Sequence, residues 1–305
     1  MLNNITPCSH VPAKGKLDNK HAPCHTTPML TATFIHADGV GSATEQSLWQ
    51  QGATSWDALA AAPHSWKLPP RLRSVVPAAV DESLLALADR RVDWFARRLP
   101  RREHWRAASA FPRLGFLDIE TDGGKSPAAI TLIGLGDGLD TQIYVKGRDL
   151  ARFAFDAQDF DGFVTFFGTG FDLPFLIRRF PVMENVFADR LHIDLCPLLK
   201  RLGHTGGLKR IEHALGIVRI PETEGLSGWD AVRLWRVFER GGAQSEDALR
   251  LLLAYNREDV QNMKALLDYA LPRLRARAHA PALLIPAEKH SADCPAFAPA
   301  GILAP

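Results

Sequence analysis

Two acidic residues in a short apolar segment have the spacing of a metal-binding pair. Asp118 and Glu120 flank Ile119 in the stretch Phe-Leu-Asp-Ile-Glu-Thr at 116–121. Because side chains alternate across a β-strand, a strand here places both carboxylates on one face and their apolar neighbours on the other. Adjacent like charges repel unless a cation lies between them, and Mg²⁺ or Mn²⁺ suits a carboxylate pair with open water positions. A strand face that carries two acids in solvent is the alternative.

A third acid follows the next predicted strand. Residues 163–167 are mostly apolar, Gly168 and Gly170 allow a sharp turn, and Asp172 then stands at the predicted start of a helix. Pro174 fits the first helical turn, where its missing N–H donor is not needed. Asp172 is therefore a candidate metal ligand, with helix capping as the competing role.

A phenol and a fourth acid lie one turn apart on a predicted helix. Tyr255 and Asp259 are four positions apart in a segment with apolar residues at helical spacing, so the two side chains share one helix face. Polar groups at the edge of a core are costly unless they are paired. A metal ion on Asp259, with the phenol orienting a water, would give both groups a partner.

The hydrophobic pattern predicts the elements that would bring these side chains together. Short apolar runs separated by Asp/Gly turns predict an antiparallel meander at 114–119, 129–135 and 142–145. Two further strands, at 163–167 and 191–194, then alternate with helices that begin at about Asp172 and lie at 207–215, 229–239 and 246–270. This order predicts an α/β fold: a ribonuclease-H-like mixed sheet, with three antiparallel strands and then alternating helix and strand, flanked by helices. Element order alone leaves other α/β folds open.

Together the motifs resemble the three exonuclease motifs of the DnaQ-like 3′–5′ exonuclease superfamily, in its DEDDy branch. The linking segments are closer still to the YprB-type ribonuclease-H-like family, over roughly residues 112–272. The strings that carry this resemblance are Phe-Leu-Asp-Ile-Glu-Thr at 116–121, Gly-Phe-Asp-Leu-Pro-Phe-Leu at 170–176, His-Ile-Asp-Leu at 192–195, Gly-Leu-Lys-Arg-Ile-Glu-His-Ala-Leu-Gly-Ile at 207–217 and Tyr-Asn-Arg-Glu-Asp-Val at 255–260. One departure is Phe167-Gly168, which stands where relatives usually have an Asn-Gly pair.

The resemblance implies a metal-dependent 3′–5′ exonuclease that hydrolyses phosphodiester bonds of DNA or RNA. On the family's pattern, Asp118, Glu120, Asp172 and Asp259 hold two Mg²⁺ (or Mn²⁺) ions about 4 Å apart, and Tyr255 orients the attacking water. The expected substrate is single-stranded or frayed DNA or RNA. The alternative is a catalytically idle nucleic-acid-binding module with the same fold.

Several residues near the motifs are expected to have structural roles. Asp194 ends a predicted strand and is interpreted as a cap or loop-fixing residue. Lys209 and Arg210 are interpreted as surface residues, with phosphate contact as the alternative. Trp229 and Trp235 are interpreted as core residues of an amphipathic helix rather than base-stacking platforms.

A helical region is predicted at 29–110. Gly39-Val40-Gly41 precedes Ser42-Ala-Thr-Glu45, a predicted capping box for a helix ending near Gly52, and residues 54–57 cap a second helix. This pair resembles a helix-hairpin-helix unit that holds a backbone phosphate. A structural hairpin whose core contains Leu48, Trp49 and Trp56 is the open alternative.

An amphipathic helix from Asp81 to about Leu99 lies within an arginine-rich stretch. Residues 65–115 contain eleven Lys or Arg and five Asp or Glu. Such a strip could follow a phosphate backbone, with Trp94 and Trp105 available for stacking. The alternative is a solvated helix face.

Composition limits the class of protein. The 305 residues are 46% hydrophobic and 23% charged, with a formal net charge of +2, which excludes wholesale disorder and a uniformly basic nucleic-acid coat. No membrane span or secretory signal is visible, and four scattered cysteines suit a reducing compartment, so a cytoplasmic location is expected. We predict a disordered leader at 1–28, an exonuclease domain at 111–275 and an Ala/Pro-rich tail at 276–305. Zinc binding by Cys8, His10, Cys24 and His25 is disfavoured by their spacing.

Overall fold

The structure of the protein is a computed structural model, which describes residues 28–279. Apart from Pro28, the predicted leader lies outside the described residues, and so do the candidate zinc residues and the tail from residue 280 onward. Within residues 28–279, no helix is both long and apolar enough to cross a membrane.

A five-stranded sheet forms the centre of the part that follows residue 113. Its strand order is β3-β2-β1-β4-β5. The first three strands pair antiparallel, while β4 and β5 run parallel to β1. The strands are β1 Leu114–Thr121, β2 Ile130–Gly136, β3 Thr141–Val145, β4 Gly162–Thr165 and β5 Leu191–Asp194. This arrangement confirms the predicted ribonuclease-H-like mixed sheet.

Helices cover both faces of the sheet. They are α6 Phe153–Asp156, α7 Asp172–Arg179, α8 Val182–Ala188, α9 Leu195–Arg201, α10 Leu208–Ala214, α11 Gly228–Arg240 and α12 Ser245–His279. The Ser227 side chain and Asp230 form a capping box at the start of α11. Helix α12 ends at His279 rather than at residue 270, and it continues through Pro272 because Leu274 extends its buried stripe.

Within the described residues, five α-helices precede the sheet, and two predictions about them were wrong. They are α1 Met29–Ala32, α2 Ser42–Gln50, α3 Trp56–Ala61, α4 Val75–Ala88 and α5 Val92–Arg98. The single helix predicted from Asp81 to Leu99 is instead α4 and α5, separated by Arg90, whose φ of 53° is incompatible with a continuous helix. The predicted capping box of α2 is also absent. Gly41 is the N-cap of α2, and Glu45 turns into the core instead.

The helical region shares a hydrophobic core with the sheet. Side chains from α1 to α5 pack in one cluster with β4, β5 and α12, while α7 and α8 cover the opposite face of the sheet. Leu48, Trp49 and Trp56 belong to the first cluster, as the structural interpretation of the hairpin requires. Ser55 caps α3 by accepting a hydrogen bond from the Ala58 amide, as predicted.

Candidate active site

The first two acids extend from β1 as the strand alternation predicts. Leu117 and Ile119 are buried in the core on one face of the sheet. Asp118 and Glu120 point to the other face, where Glu120 is buried and Asp118 is partly exposed. The register of β1 against β2 shifts directly after Glu120, a local irregularity of the kind that re-aims side chains next to functional sites.

Helix α12 brings the third acid to this face. One oxygen from each of Asp118, Glu120 and Asp259 lies within 4.8 Å of the others. The Asn256 amide, one turn before Asp259, donates a hydrogen bond of 2.8 Å to Asp118 Oδ2. The helix approaches this closely because Gly134 lies beneath it: a Cβ there would come within 2.7 Å of a Val260 methyl.

Asp172 lies at the same cavity but outside this group of three. It is the first residue of α7 and is 4% exposed. Its Oδ1 accepts a hydrogen bond of 3.1 Å from the Ile119 amide, on a part of β1 beyond its last pair with β4 at Phe116. Asp172 therefore ties α7 to β1, and no side-chain cap hydrogen bond is made at the α7 N-terminus.

Tyr255 completes the predicted set. It shares the buried face of α12 with Asp259, and both residues line a cavity of about 520 Å³ together with Asp118, Glu120 and Asp172. The Lys209 amine lies 3.9 Å from the centre of the Tyr255 ring. The structure thus brings all five predicted side chains to one cavity.

Burial and mutual repulsion shift the acid–base properties of these groups. Burial, together with repulsion from Asp259, raises the pKa of Asp118 and of Glu120 well above the ordinary values. Burial also raises the pKa of Asp172 to about 7, and that of Asp259 to about 6 against the opposing effect of Arg219. Burial and then Asp259 raise the pKa of Tyr255, so its phenol is protonated at neutral pH.

The donor set fits a divalent cation. Carboxylate oxygens are the ligands that Mg²⁺ and Mn²⁺ prefer. Three of them converge here, with a fourth carboxylate in the same cavity. Burial and then mutual repulsion raise the pKa values of Asp118 and Glu120, and a divalent ion would relieve the repulsion.

The loop between β4 and α7 presents an aromatic side chain to the cavity. Phe167 has a φ of 63°, a conformation that Asn adopts more readily than Phe. Asp194 stabilises it by accepting hydrogen bonds from the amides of Phe167 at 2.8 Å and Thr169 at 3.1 Å. Asp194 also accepts one from the Cys196 amide at the start of α9, so its predicted role as a cap and loop-fixing residue is confirmed.

The two tryptophans of α11 have different environments. Trp235 is buried as predicted, whereas Trp229 is 73% exposed and lines the cavity, so the core interpretation of Trp229 was wrong. Six positions on a helix correspond to about 240° of rotation, and the two rings therefore cannot lie on the same face. The spacing of the two tryptophans in the sequence was therefore enough to predict that they lie on different faces of α11.

Six of the eleven basic residues of the arginine-rich strip form ion pairs within the protein. The pairs are Arg90 with Asp161, Arg91 with Asp93, Arg97 with Asp189, Arg98 with Glu82, Arg102 with Glu103, and Arg106 with Glu45 and Glu103. Trp105 is buried, and the Arg98 guanidinium covers the Trp94 ring at 5.0 Å. These contacts favour a helix face with its own ion pairs over a continuous track for a phosphate backbone.

Sequence reasoning missed two charged residues of the site. Arg219, in the segment between α10 and α11, pairs with Asp259 and with Glu212 of α10. Glu212 lies in one of the strings that carry the family resemblance, and a glutamate at a buried position of a helix was the available signal. Arg219 lies in a segment without periodicity, so no comparable signal identified it.

One solved structure is similar to part of this chain. A family B DNA polymerase from the hyperthermophilic archaeon Pyrobaculum calidifontis matches over 56% of this chain and 26% of its own, at 18% identity and a TM-score of 0.45. This chain therefore spans about a quarter of the polymerase's length. A search of the curated proteins finds no matching sequence.

The sequence profile of the RNase H superfamily matches residues 115–271, which is just over half of the chain. The match begins in β1 and ends in α12, so it includes every element that contributes an acid to the cavity. It supports a nuclease-type function. By this match and by its sheet topology, the chain belongs to the RNase H superfamily.

Proposed function

We propose that this protein is a metal-dependent 3′–5′ exonuclease that hydrolyses phosphodiester bonds of DNA or RNA by a two-metal mechanism. The observation that carries the proposal is the convergence of Asp118, Glu120 and Asp259, with Asp172 and Tyr255 at the same cavity. The RNase H superfamily match supports it. The sequence resemblance to the DEDDy exonucleases provides the 3′–5′ direction.

The residues of the cavity would have two roles, metal binding and orientation of the attacking water. Asp118, Glu120, Asp172 and Asp259 would hold two Mg²⁺ or Mn²⁺ ions. When bound, such ions lower the pKa of a coordinated water and stabilise charge on the attacking and leaving oxygens of an in-line displacement. Tyr255, protonated at neutral pH, would orient the attacking water by a hydrogen bond.

Exposed aromatic side chains support an unpaired strand as substrate. Phe167, Phe171 and Trp229 are 57%, 38% and 73% exposed, and all three line the cavity that contains the acids. Unpaired bases stack on aromatic rings, with a contribution of about 1–3 kcal/mol per base. A single-stranded or frayed end offers such bases, whereas a closed duplex does not.

The proposal can be tested with an end-labelled oligonucleotide, purified protein and Mg²⁺. We expect the wild type to shorten the oligonucleotide stepwise from the 3′ end. Asp118→Ala should abolish this activity, and the surface variant Asp247→Asn should retain it. Asp247 is a suitable control because it lies at the exposed start of α12, paired with Arg250. Binding without shortening would instead indicate an idle binding module, and cleavage of a circular strand would indicate an endonuclease.

Trp229→Ala tests the choice of substrate. Without this ring, we expect KM for single-stranded DNA or RNA to rise by about 10-fold, which corresponds to the loss of one stacked base, while kcat changes less. An unchanged KM would remove the stacking argument without affecting the metal-dependent chemistry.

A further inference from the structure

A buried chain of three charged side chains leads into the acid cluster. The Arg219 guanidinium donates from Nε to Glu212 Oε2 at 2.7 Å and from Nη2 to Glu212 Oε1 at 2.8 Å. The same Nη2 donates to Asp259 Oδ1. Glu212 is 2% and Arg219 8% exposed. A bidentate contact at this burial fixes the plane of the guanidinium and therefore the direction from which it approaches Asp259.

The segment that carries Arg219 is attached to α12 beside Asp259. Glu258, the preceding residue of α12, accepts a hydrogen bond of 2.8 Å from the Ile220 amide and another from the Thr223 hydroxyl. Two neighbouring acids of α12 thus hold the same segment, one through its backbone and one through Arg219. This double attachment restrains Arg219 from moving away from Asp259.

The charges of Glu212 and Arg219 determine how this pair acts on Asp259. Glu212 and Arg219 together are neutral, but the positive end of the pair faces Asp259 and partly offsets its repulsion by the other carboxylates. The hydrogen bond from Arg219 goes to Oδ1 of Asp259, and a carboxylate has two oxygens, so Oδ2 remains to bind a metal ion. Partners that hydrogen-bond metal ligands fix their orientation and tune their affinity for metal.

We propose that the Glu212–Arg219 pair orients the Asp259 carboxylate for metal binding, which makes Arg219 a positioning residue of the metal site. This inference rests on the proposed function of the acid cluster. The competing view is that Arg219 occupies the place of a metal ion and must leave before one binds. The two views predict opposite effects on metal affinity when Arg219 is removed.

The test is calorimetric titration of the full-length protein with Mn²⁺ alone, without nucleic acid. We expect Arg219→Met to weaken Mn²⁺ binding by about 10- to 100-fold, the usual effect of losing such a partner, and Arg219→Lys to recover part of the loss. Arg233→Met is the matched control, because Arg233 is an exposed arginine of α11 that pairs with Asp230. Unchanged or tighter binding by a folded Arg219→Met would overturn the inference.

A second variant covers the case in which Arg219→Met does not fold. Glu212→Gln keeps the size of the side chain but replaces one acceptor oxygen with an NH2 group, so Arg219 loses the bidentate contact that fixes its plane and Asp259 loses its fixed orientation. We expect weaker Mn²⁺ binding with an unchanged circular dichroism spectrum, and equal binding would overturn the inference. A wild type that binds Mn²⁺ but does not shorten oligonucleotides would refute the proposed function alone, whereas a wild type that binds no Mn²⁺ would refute both.

Discussion

At the residue scale, the notable property of this site is its concentration of negative charge. Four carboxylates line one cavity, and Arg219 and Lys209 are the cations that act on Asp259. Burial removes the water that would otherwise screen these charges, so each carboxylate is protonated more easily than in the unfolded chain. Residues that are unfavourable for stability in this way are commonly functional.

This charge predicts how stability depends on pH. The folded pKa values of Asp118 and Glu120 are well above their ordinary values, and those of Asp172 and Asp259 are about 7 and about 6. Between about pH 4 and 7 the folded state therefore binds more protons than the unfolded state, and these groups destabilise the protein as pH rises. We expect Asp118→Asn, without metal, to raise Tm at pH 8 by about 2–4 °C, or roughly 1 kcal/mol.

Thermal melts at pH 8 and pH 4 measure whether Asp118→Asn raises Tm as predicted. The advantage of Asp118→Asn should shrink towards zero at pH 4, where the wild-type carboxyl is already protonated, while Asp247→Asn should show no such trend. Added Mg²⁺ should stabilise the wild type more than the variant. A wild type that is more stable than Asp118→Asn at pH 8 without metal would contradict this account.

The site residues that the sequence predicts are those whose relative positions follow from the repeat of a single strand or helix. Alternation in a strand places Asp118 and Glu120 together, and the helical repeat places Tyr255 beside Asp259, without knowledge of the rest of the fold. Arg219 could not be found in this way because its contacts with Asp259 and Glu212 depend on how an irregular segment folds back on α12.

At the element scale, the packing of α12 on β2 sets the distance between the acids. Gly134 allows this approach, since a Cβ there would overlap Asn256 and Val260. We expect Gly134→Ala to push the helix outward, to destabilise the protein by about 1–3 kcal/mol, and to weaken Mn²⁺ binding as Asp259 moves away from Asp118. Urea unfolding and calorimetry measure the two effects.

Gly207→Ala is the control for this substitution. Gly207 precedes α10 with an ordinary φ of −75°, and an added Cβ there meets nothing within 4 Å. This variant should keep both stability and metal affinity. If Gly134→Ala kept the stability and metal affinity of Gly207→Ala, the close approach of α12 to β2 would not be what positions Asp259.

Secondary-structure elements were predicted correctly where a local sequence pattern defines them. The predictions failed where contacts with distant residues set the backbone conformation or the side-chain partner. The five strands follow from apolar runs and turn residues, and their order confirms the mixed sheet. The break at Arg90 was missed because an arginine in a left-handed conformation has no sequence signature. Glu45 fits a capping box by spacing, but the buried Arg106 offers it a stronger, charged partner.

At the scale of the whole molecule, the helical region and the sheet share one hydrophobic cluster. A buried polar network connects parts of the helical region: Arg106 donates to Glu45 at 3.0 Å, to Glu103 at 2.8 Å and to Thr33 at 3.1 Å. A further contact joins the two parts, because the His192 amide of β5 donates to His104 Nδ1 at 2.9 Å. The two parts should therefore unfold together.

Arg106→Met tests this coupling. The substitution leaves the buried Glu45 without its cation and removes one of the cations of Glu103, which keeps its pair with Arg201 at 3.4 Å. Removing one partner of a buried pair costs about 3–5 kcal/mol. Arg97→Met is the control, since Arg97 also joins the helical region to the part that contains the sheet, through Asp189, but its side chain is 66% exposed. An exposed pair contributes about 0–1 kcal/mol.

Urea unfolding with two probes measures both the free energy and the cooperativity. Five of the seven tryptophans lie in the helical region, so fluorescence reports mainly on that part, whereas far-UV circular dichroism reports on the whole chain. Because one core spans both parts, we expect the two transitions to coincide in the wild type and in Arg97→Met, and to shift together to lower urea in Arg106→Met. A fluorescence transition that moves alone would mean that the helical region unfolds independently and that the acid cluster does not depend on it.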